Sequence, residues 1–252
     1  MGQPLKPEIF IIAETKICQE GLNNYLTEID IPEWESDAQD EHSLLTTIAG
    51  KLCYKSFDAK LNKNLKKVRN DTQGYIRNII KVGHGSVFEH SSVTFIFHNV
   101  TRVFTHELVR HRVGAAFSQE SLRFVALNNL DWYQPNDPDL PELSEYMYTM
   151  SEWQSELRKM LINEDMPMSR KKQITSFLRR IAPMGLCTSI MATFNHRTIR
   201  HIIKMRTETA AEIEIREVFN QVGHMMKDRY SHMYQDMELN DKGEWVFESP
   251  KI

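Results

Sequence analysis

Apolar spacing divides the chain into segments. Residues 8–13 hold Ile9, Phe10, Ile11 and Ile12 in a short apolar run and read as a buried strand. Residues 19–26 read as helix. Residues 43–54 place Leu44, Leu45, Ile48 and Leu52 at helical spacing. Residues 71–82 read as another helix, with Asp71 as its N-cap. A turn at residues 83–86 leads into residues 91–98, where Val93, Phe95 and Phe97 alternate with the period of a strand. Residues 102–112 read as a helix on which Glu107 shares a face with Arg110 and His111. An extended segment is expected at 117–125. The second half reads as mostly helical, over 142–163, 169–181, 197–205 and about 208–230. In the last helix Ala211, Ile215, Val218, Val222 and Met225 form a stripe that reads as core or subunit interface.

The connections are polar. Residues 28–41 are acidic and contain Pro32, and residues 60–67 are lysine-rich, so both read as solvated surface. Pro135, Pro138 and Pro141 mark a loop. Repeats, low-complexity tracts and clean linkers are lacking. One domain over residues 1–252 is therefore expected, with the strand, helix and acidic loop of residues 1–42 packed on it. A chain of 252 residues is long enough to bury a real core, and 41% hydrophobic with 26% charged residues is ordinary for a globular protein.

Cys18, Cys53 and Cys187 lie far apart with no CxxC, which argues against a disulfide framework and fits a reducing cytoplasm. No secretory signal or membrane-length apolar stretch is apparent, so no membrane partner is expected. A net charge of −3 disfavours general nucleic-acid binding.

Against that acidic background, residues 110–123 concentrate Arg110, His111, Arg112, Ser118, Gln119, Ser121 and Arg123. Guanidinium forks beside hydroxyl and amide groups suit a small planar phosphorylated ligand. A second cluster holds Arg179, Arg180, His196, Arg197, Arg200, His201, Lys204 and Arg206. Arg197 and His201 lie four apart on one helix face, and Asn195 is placed to cap that helix, whose amides favour an anion. Convergence of the two clusters on a polyanion stands beside the alternative of a solvated basic face. His84, His90, His98, His106 and His111 lack metal-ligand spacing, so no metal is expected. Ser121 has no GxSxG elbow, and neither a Rossmann fingerprint nor a P-loop occurs.

Arg110-His111-Arg112 followed by Ser121-Leu122-Arg123 resembles the signature of the flavin-dependent thymidylate synthases. Residues 83–90, Gly-His-Gly-Ser-Val-Phe-Glu-His, are similar to that family's segment before a strand. Residues 52–56 are similar to its first flavin-contacting turn. Arg179 with Pro183, Asn195-His196-Arg197 with His201 and Arg206, and Glu214-Ile215-Arg216 match its later blocks in order.

The resemblance implies α+β subunits with an antiparallel-type sheet flanked by helices, assembled as a homotetramer with shared active sites. It implies conversion of dUMP to dTMP, with carbon from 5,10-methylenetetrahydrofolate, reducing equivalents from NADPH through FAD, and no protein nucleophile. It places Glu107, Arg110, Gln119, Ser121, Arg123 and Arg179 on dUMP. It places Cys53, His84, Ser86, Glu89, His111, Asn195, Arg197 and His201 on FAD. Arg206 is the expected catalytic residue, also on dUMP, where a cation at the pyrimidine edge stabilises negative charge.

Three positions depart from the pattern. Residues 113–120 make an eight-residue spacer where seven is usual, and the extra residue is expected as a bulge at residues 114–116. Phe124 replaces a common Tyr, and Ala210-Ala211 replaces His-Ala. The competing readings are a flavoenzyme of the same fold acting on another pyrimidine nucleotide, and a non-catalytic nucleotide-binding protein.

Overall fold

In the computed structural model, which describes residues 2–65, 67–124, 131–249 and 252, a four-stranded antiparallel sheet carries the core. Lys66 and Val125, each within a segment read above, lie outside the described residues. Strand β1 (Pro4–Leu5) precedes β2 (Glu8–Glu14), whose Ile9 and Ile11 pack on the core while Phe10 and Ile12 are exposed. Helix α1 (Gln19–Glu28) belongs to a small cluster in which Leu26, Ile31 and Phe57 are buried. Helix α2 (Glu41–Tyr54) is capped by Asp40, which accepts from the Ser43 amide, and α3 (Thr72–Val82) by Asp71, as its sequence predicts. Gly83 ends α3 in the left-handed region at φ 76°.

The expected alternation appears as β3 (Ser92–Thr101). Helix α4 (Arg102–Leu108) is shorter than the predicted residues 102–112, because the chain turns at Val109. Strand β4 (Ala115–Gln119) ends before the predicted extended segment does: Phe124 N donates to Ser121 O, so residues 121–124 form a turn. No bulge occurs at residues 115–116, since β4 pairs in unbroken register. Gly114, just before the strand, takes a left-handed φ of 64°.

Strand β5 (Trp132–Tyr133) pairs with β1 and is followed by α5 (Ser144–Leu161) and α6 (Met168–Leu178). The second half is less helical than expected. Residues 187–195 form β6 (Cys187–Asn195), an inner strand of the sheet order β2-β3-β6-β4. Its Ile190, Ala192 and Phe194 are buried while Met191 is exposed, a period-two signal present in the sequence. Helix α7 (His196–Arg206) follows directly. Helix α8 (Ile213–Arg229) starts later than position 208 because Glu212 caps it, accepting from the amides of Glu214 and Ile215. A hairpin of β7 (Met237–Leu239) and β8 (Trp245–Phe247), also unpredicted, closes the chain.

Register explains the core. Ile9, Phe97 and Ile190 fall in one row, and Ile11, Phe95, Ala192 and Phe117 in the next. These rows face Ile199, Ile202 and Ile203 of α7 and Ile215, Val218, Phe219 and Val222 of α8 in one apolar cluster. The predicted stripe on the last helix is therefore core. Phe97 packs against Phe104 and Phe219 with ring centroids 5.4 and 5.9 Å apart. Among the described residues no helix is long and apolar enough to cross a membrane.

Candidate active site

The site begins where α4 and α7 meet. Thr101 caps α4, its hydroxyl accepting from the amides of Val103 and Phe104. The buried Glu214 of α8 in turn accepts from the Thr101 amide at 2.7 Å and from its hydroxyl. Burial pushes the Glu214 carboxyl up to about 7, against the opposing effect of those bonds. With α4 fixed, Arg206 at the end of α7 reaches back to it. Its Nη1 donates to Glu107 Oε2 at 2.6 Å, its Nη2 to Glu107 O at 3.2 Å, and its Nε to His111 Nε2 at 2.9 Å. A guanidinium carries five N–H donors, so two remain for a ligand.

Because His111 Nε2 accepts from Arg206, the neutral imidazole carries its proton on Nδ1. Burial, then the charges of Arg206, His201 and Arg110, hold this imidazole down to about 4. His201 packs against it edge-on at 5.6 Å and is likewise lowered, by burial first and then by Lys204 and Arg206.

Beside this cluster lies a recess of about 350 Å³ lined by Glu89, Arg110, His111, Asn195, Arg197 and His201, with Arg112 on its wall. Five of the eight residues expected on a flavin thus converge here. Asn195 caps α7 as predicted, accepting from the Thr198 amide at 2.9 Å, and Arg197 is paired with Glu89. His84 lines a different recess, of about 340 Å³, where its ring stacks on Tyr54 with centroids 5.5 Å apart. Cys53 and Ser86 are exposed.

The residues expected on the nucleotide divide. Gln119, Ser121 and Arg179 line a third recess of about 420 Å³, whereas Arg110 lines the first. Glu107 stands by Arg206, 3.5 Å from Arg110. Arg123 is exposed, its guanidinium 5.9 Å from the Phe124 ring centre. Arg102 also lines the third recess. Its Nη2 donates to Glu120 O at 2.9 Å, and its Nε is buried without a hydrogen-bond partner among the described residues. The sequence reading missed it, because Arg102 stands alone before the dense run.

The second basic cluster does not converge as a unit. His196 and Arg200 point into the core, with side chains fully buried, and are not available to a ligand. Among the described residues, no three His, Cys, Asp or Glu side chains are grouped so as to hold a metal ion.

Gly114 fits closely beneath this site. A Cβ there would collide with the Asn195 amide and the Thr198 hydroxyl, on a backbone already at positive φ. Gly114→Ala is expected to displace the α7 cap and cost about 1–3 kcal/mol. Urea unfolding measures this, with Ala115→Gly as a neighbouring control. Unchanged stability would show that the close fit carries no energy.

The family model described as "Thymidylate synthase complementing protein" matches residues 36–230. A flavin-dependent thymidylate synthase of Corynebacterium diphtheriae is 34% identical over 218 residues, covering 82% of this chain and 84% of that protein. One from Mycobacterium avium is 32% identical over 237 residues, covering 90% and 92%. Among solved structures, the UMP/dUMP methylase PolB of Streptomyces cacaoi bound with 5-Br UMP superposes with a TM-score of 0.61 at 17% identity, covering 92% of this chain and 94% of that one. Thymidylate synthase X of Helicobacter pylori with FAD and dUMP gives 0.58 at 15%, covering 91% and 98%. At such identities these two structures show a shared fold.

Proposed function

The chain belongs to the flavin-dependent thymidylate synthase family, and on that premise we propose that it methylates dUMP reductively to dTMP with FAD seated in the recess between the segment after α4 and the start of α7. The observation that carries this is the convergence of Glu89, His111, Asn195, Arg197 and His201 on one recess whose neighbour is Arg206. The residues fit the cofactor. Arg112 and Arg197 suit a pyrophosphate, and Arg112 has no ion-pair partner among the described residues. His111 offers an Nδ1–H donor without adding charge. Cys53, His84 and Ser86 extend the flavin side of the site around the turn at residues 83–86.

FAD, when bound, supplies the redox chemistry, with NADPH and 5,10-methylenetetrahydrofolate as co-substrates. The protein's part is binding and electrostatics. Arg206 stabilises negative charge on the pyrimidine with its two remaining N–H donors, held in position by Glu107 and His111. Arg110, Gln119, Ser121, Arg123 and Arg179 hold the nucleotide, with Arg102 as a further cation on its phosphate. No protein nucleophile is required.

We read residues 1–252 as one domain assembled as a homotetramer. Among the described residues none lines both the first and third recesses, so a nucleotide held by Arg206 from one copy and by Ser121 and Arg179 from another accounts for the division. Tyr146, Trp153 and Met160, seven apart on α5 and all exposed, give such an assembly an apolar stripe to bury.

The purified chain is expected to be yellow, to bleach anaerobically with NADPH, and to form dTMP from dUMP in preference to products from UMP or dCMP. A chain that takes up no FAD sinks this reading. A chain that bleaches but turns over UMP or dCMP faster favours the other-nucleotide alternative.

A further inference from the structure

Two histidines that the proposed chemistry does not use face each other beneath the recess. His42, in the first turn of α2, and His196, the first residue of α7, are 3% and 0% exposed. His42 Nδ1 lies 2.7 Å from His196 Nε2, and His196 Nδ1 lies 2.9 Å from the Tyr234 hydroxyl. His42 Nε2 is buried without a hydrogen-bond partner among the described residues, 3.9 Å from Glu14 Oε1.

With no net proton, one arrangement serves every group well. The Tyr234 O–H donates to His196 Nδ1, His196 Nε2–H donates to His42 Nδ1, and His42 Nε2–H points at the Glu14 carboxylate. An added proton reverses the chain. It settles on His42, which Glu14 of β2 and Asp40 and Glu41 at the start of α2 favour, while Arg229 of α8 opposes it. His196 is entirely buried, with Arg200 of its own helix also opposing charge. Asp236 is bound to Arg200 and balances that guanidinium. Glu14 is already held by Arg229 and by the Tyr230 hydroxyl, so it is only partly available. Protonated His42 must donate from Nδ1, which forces His196 to carry its hydrogen on Nδ1. That hydrogen then faces Tyr234, a fully buried residue whose own O–H is left without its acceptor.

His196 stands between Asn195 and Arg197, both of which line the recess. We propose that the His42–His196 pair is a positioning device for the flavin site: without a net proton it pins the first turn of α7 to α2, and uptake of one proton releases that turn and weakens flavin binding. This rests on the flavin reading above. The sign follows from burial, which lowers both imidazoles, His196 well below its ordinary value. The contact's contribution is fully present above the ordinary histidine range near ~6.5 and is lost as pH falls through the lowered value of the buried pair, below which flavin affinity drops by up to about tenfold per pH unit for one linked proton.

The test compares FAD affinity, read by flavin fluorescence, at pH 7.5 and 5.5 in the full chain and in His42→Asn, whose amide can donate to or accept from His196. The wild-type chain is expected to bind more weakly at pH 5.5, by up to about tenfold, and by more than the variant does. The difference between the two profiles decides, because the other groups at the flavin site, His111 and His201 among them, are common to both chains. Hydrogen exchange of the α7 backbone amides without FAD, corrected for intrinsic rates, gives a second readout. Faster exchange at pH 5.5 is expected in the wild type only. If no FAD binds at pH 7.5, the flavin reading fails, and the exchange comparison still decides the switch. Should His42→Asn not fold, His196→Gln serves in its place, with the same shallower profile expected. Identical pH dependence in wild type and variant, in either readout, overturns the proposal.

Discussion

Arg206→Ala is expected to reduce dTMP formation by at least about 10²–10³-fold, the scale on which removal of one preorganised charge-stabilising donor acts. FAD binding is expected to stay within a few-fold of wild type, because Arg206 is bonded to His111 and Glu107 and does not line the recess itself. The fold tolerates the loss. Glu107 keeps Arg110 as a partner at 3.5 Å, and both carboxylate and guanidinium there reach solvent. Without the neighbouring charge of Arg206, the His111 imidazole moves back up from about 4. Arg206→Lys restores charge but not the planar fork, so it recovers little turnover. Steady-state turnover and flavin titration on the same preparations check this. Near-normal turnover in Arg206→Ala would remove the catalytic role.

The largest expected effect on stability lies at Asp236. The Arg200 side chain is 0% exposed, and its Nη1 and Nη2 each donate to an Asp236 carboxylate oxygen at 2.8 Å. Nη1 also donates to Met233 O at 2.9 Å, and the guanidinium lies 4.5 Å from the Phe247 ring centre. Asp236→Ala leaves a buried cation without its anion, which costs about 3–5 kcal/mol. Against a total stability of about 5–15 kcal/mol, that is a large fraction. The double change Arg200→Met with Asp236→Leu removes both charges and is expected to recover most of the loss. Urea unfolding of the three chains measures this. A loss below about 1 kcal/mol in Asp236→Ala, or no recovery in the double variant, would show that the pair is not the anchor it resembles.

Local signals carried much of the fold. The alternation of Val93, Phe95 and Phe97 gave β3, and Asp71 and Asn195 proved to be the caps that their positions predicted. The strand β6 was equally legible in Ile190, Ala192 and Phe194, but it runs directly into the basic helix, and the helical rhythm after it masked the period before it. Residues 115–116 pair in unbroken register rather than in the expected bulge, and the positive φ falls at Gly114, whose close neighbours Asn195 and Thr198 local sequence does not record. Arg102 needed the third recess to be seen at all.

Helix α7 shows where the boundary falls. The sequence determined which of its residues share a face, but not which face is buried. His196, Ile199, Arg200 and Ile203 recur at the spacing of one face, while Arg197 and His201 share another. Six basic or imidazole side chains on eleven residues leave that choice ambiguous by charge alone, because isoleucines and cations occupy the same buried face. The tertiary structure decided the matter by supplying partners from far along the chain. Asp236 meets Arg200, and His42 and Tyr234 meet His196, so these polar groups are satisfied inside the core. A buried charge is tolerated only where its counterpart is delivered, and local spacing does not record where that counterpart lies.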